Sequence, residues 1–114
     1  MMLCSPVVAD DYGAALFASI NEDDAIALKD FKLLATAGDG MSQYRLGVMY
    51  ISGNGVLQDH VMAHMWFNLA NTNGIQSGGG FRDSVAAEMT LENISKAQDM
   101  ARKCLDSNYK ECGY

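Results

Sequence analysis

Residues Tyr44–Gly74 read YRLGVMYISGNGVLQDHVMAHMWFNLANTNG, and the reading of Gly53-Asn54-Gly55 inside this stretch decides the fold. A glycine-rich loop ahead of a helix can cradle phosphate with its free N–H groups. His60 and His64, four apart on one helix, have a spacing that grips zinc. The third reading is a turn between two packed helices. A dinucleotide fingerprint needs a preceding strand and a third glycine in its place, and a P-loop needs a following Lys. Here the pattern before the loop is helical, no Lys follows, and Asp59 would repel phosphate. Val61 stands beside His60 where the zinc-protease pattern has Glu, and no third or fourth ligand is evident. The residues favour the turn, with no nucleotide, metal or other cofactor expected.

Working outward, the chain repeats itself. DDAIALKDFKLLATAG (Asp23–Gly38) aligns with DHVMAHMWFNLANTNG (Asp59–Gly74), matching Asp23 to Asp59, Ala27 to Ala63, Phe31 to Phe67, Leu33 to Leu69, Thr36 to Thr72 and Gly38 to Gly74. The constant offset falls in the range of helix-pair solenoids. Each copy opens on an acid, which suits the positive end of a helix dipole, and closes on Gly, which tolerates a left-handed cap. Around this repeat the sequence predicts helices over Asp11–Ile20, Asp23 to about Ala37, Met41–Ser52 and Asp59 to about Asn73. A flexible break is expected from Asn73 through Gly78-Gly79-Gly80. Phe81, Val85 and Met89 then recur as on a short helix, and Thr90 is placed to cap a last helix with Leu91, Ile94, Ala97, Ala101, Cys104 and Leu105 on its apolar side. No alternating strand pattern appears, so the expected fold is all-α with about six helices.

The stretch 44–74 resembles the Sel-one-like repeat, a relative of the tetratricopeptide repeat. Leu46, Gly47, Tyr50, Gly53, Gly55, Val56, Asp59, Ala63, Trp66, Ala70 and Gly74 fall in register with its pattern. Ser42 and Asn71 depart from it where Ala is usual. The ending KAQDMARKCLDSNYKEC, including its two cysteines, looks like the carboxy-terminal cap of short bacterial members. The resemblance implies a right-handed α-α superhelix of antiparallel helix pairs, used as an adaptor, and brings no catalytic residues with it. It divides residues 10–114 into a half-repeat (11–38), a full repeat (40–74) and a cap (81–112). The same residues have plain packing roles. Gly47 lets two helices approach, with Ala63 and Trp66 expected at the same tight seam. Gly53 and Gly55 permit positive φ, Val56 plugs the gap between helix ends, and Tyr50 and Trp66 fill the space that the small residues open.

The totals bound the rest. A chain of 114 residues that is 49% hydrophobic is long enough for one domain with a buried core. Its net charge of −6 and scattered basic residues argue against nucleic acid, which needs clustered Lys and Arg. No apolar run approaches the roughly eighteen residues of a membrane span, so no membrane insertion is expected. Residues 1–9, MMLCSPVVA, read either as the remnant of a truncated secretory signal or as a loose, disordered amino-terminus, since the basic n-region is missing. Cys104 and Cys112 are either bridged, as an oxidising compartment would allow, or two free thiols. A periplasmic or secreted protein is the expectation under the first reading and a cytoplasmic one under the second.

Function comes down to surfaces. Ser42, Ser52, Ser77 and Ser95 sit on no nucleophile-elbow pattern, and Glu22, Asp23 and Asp24 read as a solvated helix start. The helix over Met41–Ser52 carries Met41, Tyr44, Val48 and Ile51 as a second apolar stripe beside Leu46, Gly47 and Tyr50, so it should be covered on both sides. The cover is either the cap helix Leu91–Leu105 or a partner, including a second copy exchanged through the Gly78–Gly80 hinge. The expected function is a non-enzymatic adaptor that binds a protein or peptide on the concave helix face. The alternative is a small regulator or inhibitor of an envelope or secreted enzyme, meeting it through the acidic corner Glu22–Asp24, and a small hydrolase stands behind both.

Overall fold

The computed structural model describes residues 22–113. They form five helices: α1 (Glu22–Ala35), α2 (Gly40–Ser52), α3 (His60–Thr72), α4 (Gln76–Ala86) and α5 (Leu91–Asp106). No strand occurs among the described residues. Five helices is a count of the described residues; the further helix expected over Asp11–Ile20, like the reading of residues 1–9, lies outside them.

Each helix from α2 onward begins where the sequence offers an acceptor for orphan N–H groups, except α4. The Asp39 carboxylate accepts from the Ser42 N–H at 3.0 Å, that of Asp59 from Met62 at 3.1 Å, and the Thr90 hydroxyl from Asn93 at 3.1 Å. Gly53 closes α2 in the left-handed region at φ 75°, its N–H on the Met49 carbonyl. The ends of α1 and α3 are built alike. The N–H groups of Gly38 and Gly74 reach the carbonyls of Ala35 and Asn71 at 3.0 and 3.1 Å. Those of the following residues, Asp39 and Ile75, reach Leu34 and Ala70 at 3.1 and 2.9 Å. The hydroxyls of Thr36 and Thr72 both donate back four residues, to Lys32 and Asn68. The spacing seen in the sequence therefore recurs bond for bond at the two helix ends.

α3 is the centre. It packs against α2, α4 and α5, while α1 packs against α2. Met65, Trp66 and Phe67 are wholly buried in succession, and Ala63, Leu69 and Ala70 join them. A helix covered on every side must be apolar nearly all round, and HVMAHMWFNLANT is the helix that meets this description. Burying Trp66 and Phe67 contributes about 2–3 kcal/mol each.

The expected break at Asn73–Gly80 is corrected by the structure: only residues 73–75 turn, and α4 begins at Gln76 and runs through Gly78, Gly79 and Gly80. Glycine is a poor helix former in isolation, but here it permits contact. A Cβ on Gly78 would stand 2.8 Å from the Phe67 carbonyl oxygen, and one on Gly79 2.7 Å from Oδ1 of Asn71. Gly78 lets the backbones of α3 and α4 touch, Gly79 admits the Asn71 side chain, and tertiary packing overrides propensity. They form a packed helix turn, not a hinge.

Cys104 and Cys112 are bridged, with Cα atoms 4.4 Å apart and both side chains buried. Between them Asn108 and Tyr109 take positive φ, 57° and 65°, an unusual backbone for Tyr that the closed loop holds in place.

Candidate functional site

The apolar stripe lies on α2 as expected, but its neighbours are not those expected. α5 packs on α3, not over the stripe. Met41 and Val48 stay open to solvent, 46% and 37% exposed, while Tyr44 and Ile51 are half-buried against the core. The helix over Met41–Ser52 is thus flanked by α1 and α3 while Met41 and Val48 stay open, and of the two covers considered, the cap helix is not the one that closes over them.

The stripe continues onto α4 through aromatic contacts. The Tyr44 ring meets Phe67 at 5.8 Å between centroids and Phe81 edge-on at 5.8 Å, and Phe67 stacks on Phe81 at 5.6 Å. Phe67 is wholly buried beneath, whereas Phe81 is 47% exposed. The result is an aromatic floor between α2 and α4, flanked along α2 by Met41 one turn before Tyr44 and Val48 one turn after. Sequence reasoning missed Phe81 as part of this face. Its spacing with Val85 and Met89 signalled a helix but not which neighbour that helix would meet.

The repeat-signature residues are structural. Leu46, Gly47, Tyr50, Ala63, Trp66 and Ala70 are buried; Asp59 is the cap of α3; Gly53 and Gly55 shape the α2–α3 connection, and Gly74 the turn after α3. Gly47 faces the Phe67 ring, with a Cβ there standing 2.6 Å from two ring carbons. The segment Gly53-Asn54-Gly55 follows a helix, and the N-terminus of α3 behind it is already occupied by the Asp59 carboxylate. Gly55, at φ 76°, lies against the Asp24 carbonyl of α1.

His60 and His64 face α4. Nε2 of His60 lies 3.8 Å from the Glu88 carboxylate. His64 is buried and its Nδ1 has no hydrogen-bond partner. Burial pushes its pKa below the ordinary value, and the Arg82 guanidinium lowers it further against the opposing pull of Asp83. Arg82 itself is held by Asn68, which accepts from Nη1 at 2.9 Å, and by Asp83. No three of His, Cys, Asp and Glu gather around one point among the described residues.

A polar chain runs from a buried glutamine to the surface where helix ends meet. Gln43, wholly buried on α2, donates from Nε2 to the Ala35 carbonyl at 3.0 Å and accepts on Oε1 from Nδ2 of Asn73 at 2.9 Å. The same Asn73 amide donates to the Leu69 carbonyl and to the Tyr109 hydroxyl, both at 3.1 Å. The end of α3, the start of α2 and the bridged loop are joined at this one amide, and Gln43 carries the link on to the end of α1.

No helix among the described residues is long and apolar enough to cross a membrane. Comparison with family models, curated proteins and solved structures found no match to this chain.

Proposed function

We propose that the chain is a non-enzymatic interaction module of the Sel-one-like repeat type, a short α-α superhelix that receives an apolar segment of a protein partner across α2 and α4. The observation that carries this reading is the aromatic floor: Met41, Val48 and Phe81 stand open around Tyr44, and the Tyr44, Phe67 and Phe81 rings tie this exposed group to the core. Open Met, Val and Phe on one rigid face favour a partner that contributes aliphatic or aromatic side chains. The repeated helix ends at Gly38 and Gly74 support the solenoid reading. The Cys104–Cys112 bridge favours an oxidising compartment, periplasmic or extracellular.

The test is comparative capture. Wild-type protein and a Met41→Asp/Val48→Asp variant are used as bait in the host's envelope fraction, with far-UV circular dichroism confirming equal helicity. A partner retained by the wild type and lost by the variant supports the reading. The same set of proteins on both baits refutes it.

A further inference from the structure

The chain contains two Asn-Gly dipeptides, Asn54-Gly55 and Asn73-Gly74, and the fold treats them in opposite ways. Asn followed by Gly is the pairing most open to intramolecular attack, because no Cβ shields the following nitrogen from the side-chain carbonyl. The attack needs a mobile Asn amide and a following N–H that is free to lose its proton.

Asn73 meets neither condition. Its Nδ2 donates to Gln43, Leu69 and Tyr109, and the Gly74 N–H is held by the Asn71 carbonyl at 3.1 Å. Asn54 meets both. It is exposed in the α2–α3 connection, its side chain makes no hydrogen bond among the described residues, and the Gly55 N–H donates to none of their oxygens. Its backbone N–H alone is fixed, on Met49 at 3.1 Å, which holds the residue in place while leaving its amide free.

We infer that Asn54 is a self-modification site, at which the Gly55 nitrogen closes a succinimide ring on the Asn54 side chain while Asn73 is protected by its hydrogen bonds. The Gly55 nitrogen attacks Cγ of Asn54, the Cγ–Nδ2 bond breaks, and ammonia leaves carrying the proton lost from Gly55. Water then opens the ring. Cleavage at Cγ gives Asp, and cleavage at the main-chain carbonyl gives isoaspartate, with one extra methylene in the backbone. Both products add a negative charge to a connection already next to the α1 backbone. The isoaspartate also displaces Gly55, which sits so close that a Cβ on it would be 3.1 Å from the Asp24 carbonyl oxygen and from Cε of Met49. The product therefore loosens the seat of α1.

The experiment ages the purified full chain in mildly alkaline buffer, natively and in concentrated urea with reductant. Chymotryptic peptides separate the two dipeptides, and mass spectrometry with an isoaspartyl methyltransferase assay follows each. In the native protein Asn54 converts while Asn73 lags by at least about tenfold, since each hydrogen bond that must open first depletes the reactive geometry. In urea the two rates converge. Asn54 staying intact in the native protein while reacting in urea, or Asn73 keeping pace natively, would overturn the inference. Hydrogen exchange on the isolated isoaspartate form should show faster exchange across residues 22–35. Unchanged exchange there would remove the link to α1.

Discussion

The ring of Phe67 occupies the place where a side chain on Gly47 would begin: a Cβ at Gly47 would fall 2.6 Å from Cδ1 and from Cε1. The pair fixes how closely α2 approaches α3, and because Phe67 also stacks on Phe81, it sets the height of the aromatic floor. Gly47→Ala therefore forces a buried ring out of place. It should cost about 1–3 kcal/mol, read as a lower urea midpoint with an unchanged m-value. An unchanged midpoint would mean that the seam is looser than described.

Glycines in α4 should respond according to what faces them. Gly78→Ala presses a methyl against the Phe67 carbonyl, which cannot turn aside as a side chain can, and should destabilise the protein. Gly80 is exposed with nothing near its missing Cβ. Gly80→Ala should stabilise by about 0.5–1 kcal/mol, the ordinary helix gain. Thermal melts of the two variants should move in opposite directions.

His64 should make stability pH-dependent. Its folded pKa is lowered by burial and by Arg82, with Asp83 opposing, and the other titratable side chains on this seam are His60 and Glu88. The unfolded chain binds the proton more readily, near pH 6.5, than the folded one. The stabilising contribution is full above that pH and is lost as pH falls through the lower folded value. Urea midpoints measured downward from neutrality should fall, and His64→Gln should flatten that slope. Equal slopes would assign the dependence to other groups.

Opening the Cys104–Cys112 loop frees a short segment of the unfolded chain and releases Tyr109 from Asn73. A Cys104→Ser/Cys112→Ser variant should lose about 2–4 kcal/mol. Tyr109→Phe in the intact bridge removes only the hydroxyl and should cost about 1 kcal/mol. If the two losses are equal, the bridge acts only by seating that hydroxyl.

Much of the frame was legible because helix ends carry local chemistry. Asp59, Thr90, Gly38 and Gly74 mark boundaries by what their own atoms can bond, and the structure places each of them at a boundary. The stretch 76–80 was not legible, because glycine reads as a breaker unless the facing backbone of α3 is known. The open face was half legible. Tyr44 and Val48 share one helix and a visible period, but Phe81 reaches them from a different helix, across a distance in sequence that no periodicity spans. Which helix α5 packs against was not legible for a related reason: α2 and α3 both carry more apolar residues than one face needs, and only the packing decides which of them lies at the centre.

The bridge at the end of α5 also decides how the molecule carries tension. A pull applied beyond Gly113 passes through the sulfur atoms straight into α5 at Cys104, so residues 105–111 bear none of the load and Tyr109 keeps its place. With the sulfurs reduced, the same pull runs along the loop and draws first on the tyrosine. Oxidised, the carboxy-terminus is a fixed anchor point; reduced, it becomes the first part to peel.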